Sequence, residues 1–136
     1  MSGAVPLLIV LAAAGCGASE PTAEDFCPST LTLSVTGGTT PTFDWLPACP
    51  VRVLRVSGSG SGTFWEVRAT AEVYPPAAIW PPVEYGVIPT YGTSGTVTAI
   101  ETQFPRTLVA GTTYELTLMA ASVTGGAPII VRQFTP

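Results

Sequence analysis

The chain has 136 residues, 46% of them hydrophobic and only 10% charged, with a formal net charge of -4. It contains no histidine and no lysine. Their absence excludes Ser-His-Asp and Cys-His catalysis, imidazole metal sites, and Schiff-base or Ser-Lys schemes. The arginines are scattered and form no basic patch for nucleic acid. No cofactor, metal or catalytic residue is expected.

Residues 5–14 are apolar and free of charge. The stretch is too short to span a bilayer and has the length of the apolar core of a secretory signal. It runs through Ala13-Ala14-Gly15 into Cys16. That ending resembles the bacterial lipobox, although Ala13 stands where the pattern has leucine and no basic residue precedes the apolar core. The resemblance implies cleavage before Cys16 and lipidation of its thiol, enough to hold a protein on a membrane without a transmembrane helix. An ordinary secretory signal cut after Ala14 or Gly15 is the other reading. The organisation expected is a signal over 1–15, Cys16 with a polar tether over 16–26, and one folded domain over 27–136. The tether reaches about 30 Å when fully extended.

With Cys16 lipidated, Cys27 and Cys49 remain as an even pair, which in an oxidising compartment usually bridges. The alternative is two free thiols packing as small hydrophobes. Leu31, Leu33 and Val35 alternate with Thr and Ser, and Phe43 and Trp45 flank Asp44. A three-residue loop, Gly37-Gly38-Thr39, predicts a hairpin in which Leu33 faces Phe43 and Leu31 faces Trp45. Extending that ladder sets Cys27 opposite Cys49. Strands are predicted over 31–36, 42–46, 51–57, 63–70, 95–102, 113–123 and 128–135. Ser57-Gly58-Ser59-Gly60-Ser61-Gly62 is a flexible hairpin turn, with no lysine or helix to make it a phosphate loop. Residues 73–91 carry Pro75, Pro76, Pro81, Pro82 and Pro89, and read as a long loop or a broken edge strand. Seven antiparallel strands without helical period predict an all-β, two-sheet Greek-key sandwich.

Leu108-Val109-Ala110-Gly111-Thr112-Thr113-Tyr114 is similar to the fibronectin type III pattern Leu-x-Pro-Gly-Thr-x-Tyr, with Leu108, Gly111, Thr112 and Tyr114 in register and Ala110 in place of proline. The resemblance implies a fibronectin type III or immunoglobulin-like fold. In it Tyr114 makes a tyrosine corner, its hydroxyl bonding back to the preceding backbone. Trp45 is similar to the core tryptophan of the second strand in that family.

Tyr74, Trp80, Tyr85 and Tyr91 lie in or beside the proline-rich segment, and Trp65 lies on a strand face opposite Phe64. Rings on stiffened loops suit stacking against sugars or an apolar partner. The competing expectation is that Trp80 and Tyr85 fold back to cap the core. The acids Asp44, Glu66, Glu72, Glu84, Glu101 and Glu115 show no spacing that singles out a glycosidase pair, and are expected as solvated surface. The sequence therefore predicts a non-enzymatic module on the extracytoplasmic side of a bacterial envelope. It is held by lipid and serves protein interaction or envelope architecture, with carbohydrate binding as the alternative.

Overall fold

The computed structural model describes residues 27–28, 30–70, 79–91, 96–97, 99–120 and 129–136. The signal 1–15, Cys16, the tether 16–26 and Tyr74 lie outside the described residues. Those described contain strands and no helix: β1 (Thr32–Thr36), β2 (Thr42–Leu46), β3 (Val51–Gly58), β4 (Gly62–Ala69), β5 (Val83–Glu84), β6 (Thr90–Tyr91), β7 (Thr96–Val97), β8 (Ala99–Gln103), β9 (Tyr114–Ala120) and β10 (Ile129–Phe134). They form a three-stranded sheet, β1-β2-β5, a five-stranded sheet, β10-β9-β3-β4-β8, and a small β6-β7 pair, all antiparallel. The two main sheets thus hold eight strands, not the seven expected. The proline-rich segment supplies the additional one, β5, at a sheet edge where a preceding proline removes no ladder bond.

The first hairpin forms in a different register from the one predicted. Leu33 pairs with Trp45 and Val35 with Phe43, a shift of two residues. The loop is Gly37 to Pro41, with Gly37 and Gly38 at positive φ (100° and 61°). Pro41 has no N–H to give a ladder, and its buried carbonyl instead accepts the Tyr85 N–H at 2.8 Å. A two-residue slip preserves the faces, so Phe43 and Trp45 still point into the core and are fully buried. Cys27 and Cys49 are bridged, with Cα atoms 5.1 Å apart. Both lie outside the ladder, so the predicted pair forms without the predicted strand extension.

One core joins both main sheets. Phe43 of β2 meets Phe134 of β10 edge-on, with centroids 5.2 Å apart. Leu54, Val56, Trp65, Val67, Leu116, Leu118 and Ile130 pack in the same cluster. Alternation breaks once in β4. Val56 pairs with Trp65 and Ser57 with Thr63, which leaves Phe64 as the extra residue of a bulge. The bulge resets the side-chain alternation, and both Phe64 and Trp65 are buried.

Before β9 the chain turns at Gly111, whose φ of 77° suits only glycine without strain. The Gly111 N–H reaches the Pro136 carbonyl at 3.0 Å. The Tyr114 hydroxyl accepts the Val109 N–H at 2.9 Å, and its ring stands edge-on to Phe64. Leu108 is buried beneath this corner and Thr112 is exposed.

The bridge closes a loop across a sequence separation of 22. Replacing both cysteines by alanine is expected to remove about 3 kcal/mol of stability, from the entropy restored to the unfolded chain. Urea unfolding of the double variant checks this; an unchanged midpoint would show that the bridge contributes nothing.

Candidate binding cleft beside Trp80

Three attachments fix the proline-rich segment. Ile79, fully buried, exchanges two backbone hydrogen bonds of 2.9 Å with Val51. Val83 and Glu84 then pair with Phe43 and Thr42 of β2. Tyr85 bonds to Pro41, and a turn at Gly86 (φ 79°) closes with the Val87 N–H on the Glu84 carbonyl at 3.1 Å. Because Phe43 and Val83 point inward, their neighbours Thr42 and Glu84 face outward side by side.

Above Thr42 and Glu84 lies a cleft of about 310 Å³. Trp80 and Pro82 line it from one stretch of chain, and Val87, Ile88, Pro89 and Thr90 from another. Val87 and Ile88 are exposed. Trp80 is half-buried, and its Nε1 is buried with no hydrogen-bond partner among the described residues. The lining thus combines an aromatic ring and aliphatic side chains with a carboxylate and two hydroxyls. A second hollow of about 270 Å³ lies between Thr39, Tyr85, Pro105 and Arg106. Its one cation is engaged already: the Arg106 guanidinium donates to the Ser61 carbonyl and sits 4.3 Å over the Phe64 ring.

Of the rings predicted to bind, Trp80 alone lines the cleft among the described side chains. Trp65 and Tyr85 do not, which corrects that expectation. Trp65 is fully buried and donates its indole N–H to Glu101 at 2.7 Å. Tyr85 packs edge-on against Trp65 and donates its hydroxyl to the Arg106 carbonyl at 2.7 Å. Burial pushes the Tyr85 hydroxyl up to about 12. The bulge at Phe64 and the inward alternation of Val83 and Tyr85 account for both placements. Tyr91 pairs through its backbone with Thr96. Trp45 is fully buried, with its indole N–H on the Cys49 carbonyl at 2.8 Å.

The acids also divide. Asp44, Glu84 and Glu115 are exposed strand residues. Glu66 is not the solvated acid expected: it is 7% exposed and forms ion pairs with Arg55 and Arg68. The Thr102 hydroxyl adds a hydrogen bond of 2.7 Å to the same carboxylate. Burial would raise the Glu66 pKa, but the bonds from Thr102, Arg55 and Arg68 outweigh it and hold the carboxyl below its ordinary value of 4.5. Of the described carboxylates, only that of Glu84 lines the cleft, so no facing pair of acids occurs there among the described residues. No group of three potential metal ligands occurs among the described residues.

Thr42, Val87, Ile88 and Thr90 line the cleft although no sequence pattern places them at a site. Thr42 reaches the cleft only through pairing with a two-residue strand that no periodicity announces. The pair Val87-Ile88, set between Gly86 and Pro89, was the available signal for an apolar wall. No protein family, curated protein or solved structure matches this chain.

The two tryptophans predict unequal costs. Trp45→Phe orphans the Cys49 carbonyl as well as losing packing, and is expected to cost about 2–4 kcal/mol. Trp80→Phe removes a donor that has no partner among the described residues, so it is expected to cost roughly half as much or less. Equal losses in denaturant melts would refute the contrast. For Glu66 the folded pKa lies below the unfolded one. Its stabilisation is thus present above pH 4.5 and is lost as pH falls towards the folded value. Glu66→Gln is expected to cost about 1 kcal/mol at neutral pH, because both arginines are partly solvated, and to flatten the acid limb of melting temperature against pH.

Proposed function

We propose that this chain is an exported, lipid-anchored domain of a bacterial envelope that works by binding rather than catalysis, presenting the cleft beside Trp80 to its partner. The observation that carries the reading is the Cys27–Cys49 bridge. A stable disulfide belongs to an oxidising compartment, and it leaves Cys16 as the remaining thiol, directly after small residues and an apolar core. Among the described residues a single carboxylate lines the cleft, which supports binding over two-carboxylate hydrolysis.

We also read the fold as immunoglobulin-like, of the fibronectin type III kind. β1, β2 and β5 correspond to the A-B-E grouping of such sandwiches, and β3, β9 and β10 to C-F-G. The Tyr114 hydroxyl bond to Val109 supports this reading. On this assignment β8 is an additional strand, placed beside β4 before the chain reaches the tyrosine corner.

Mass spectrometry of protein extracted from membranes tests the reading. The expected result is a chain starting at Cys16 with fatty acyl groups on that residue and no free thiol at Cys27 or Cys49. A soluble, unacylated product, or reduced cysteines, would overturn it.

A further inference from the structure

We propose that the cleft beside Trp80 binds a neutral saccharide, and this rests on reading the cleft as the binding face of the domain. The argument is one of complementarity. The described side-chain polar groups at the cleft are the Glu84 carboxylate, an acceptor only, and the hydroxyls of Thr42 and Thr90, each one donor with two acceptor sites. The one strong donor nearby, Trp80 Nε1, is buried within the protein. The site is therefore rich in acceptors and calls for a ligand rich in donors.

Charge narrows the class. None of the arginines lines the cleft, and Glu84 is its only charged group among the described residues. A phosphate, sulfate or uronate would meet a carboxylate with no cation to offset it. An organic cation would find one ring among the described side chains, where recognition usually requires several. A proline-rich peptide offers mainly carbonyl acceptors along its backbone, and so fits an acceptor-rich cleft poorly.

A pyranose suits both kinds of lining group. Its ring hydroxyls donate to Glu84, Thr42 and Thr90, while its C–H face lies against the indole of Trp80 and the aliphatic side chains of Val87 and Ile88. The cleft volume, about 310 Å³, stands at the small end of ligand sites, suited to a short saccharide unit. Prolines in the wall fix φ, so little chain entropy is lost on binding.

The test is calorimetric titration of the full chain, in a detergent without a sugar headgroup. The probes are cellohexaose, maltohexaose, chitohexaose, polygalacturonate and a proline-rich peptide. At least one neutral oligosaccharide is expected to bind and to shift tryptophan fluorescence, while polygalacturonate does not bind. Trp80→Ala is expected to weaken binding about tenfold or more. Because that change also removes packing, Glu84→Ala, at an exposed edge position, is the second variant. It is expected to weaken binding to a similar extent with unchanged melting. Failure of all three neutral sugars, or binding that survives Glu84→Ala, would overturn the inference. Peptide binding sensitive to Trp80→Ala would overturn it while upholding the cleft as the binding face, and acylation of Cys16 is decided separately.

Discussion

The inward face of β2 holds this molecule together. Phe43 and Trp45 are both fully buried, one meeting Phe134 across the core and the other tied through its indole N–H to Cys49. Cys49 in turn bridges to Cys27, where the described domain begins. The same strand carries β5 on its Thr42–Phe43 edge, so the backbone that seals the core also supports the cleft. Alternation makes this possible: each residue turned into the core sets its neighbour on the outside.

Polar groups near the core are held by partners rather than left to water. Trp65 donates to Glu101, Tyr85 to the Arg106 carbonyl, and Val109 to the Tyr114 hydroxyl. Glu66 draws on Arg68 of its own strand and on Arg55 and Thr102 of the two neighbouring strands. Each bond offsets a desolvation cost that would otherwise fall on the fold. Trp80 departs from this pattern. Its buried N–H is unpartnered among the described residues, and the residue lines the cleft.

Much of the strand pattern could be read directly from the residues. Thr-Leu-Ser-Val-Thr and Tyr-Glu-Leu-Thr-Leu alternate strictly, and β1 and β9 lie on them. The hairpin register could not, because either pairing buries the same face; Pro41 and two left-handed glycines decided it. Trp65 and Phe64 compete for one inward position on paper, and a bulge buries both. Glu66 resembles any strand acid until Arg55 and Thr102 come to it from strands 11 and 36 residues away.

Composition and periodicity alone established an all-β chain with an even cysteine pair in its domain and no histidine or lysine chemistry, because these follow from which side chains exist and how they alternate. The cleft belongs to tertiary structure. Trp80, Glu84 and Thr90 come from one segment, but Thr42 lies about forty residues away in sequence and joins them only when β5 docks on β2. Long-range pairing of that kind depends on buried neighbours such as Val83 and Tyr85, whose inward placement no local pattern specifies.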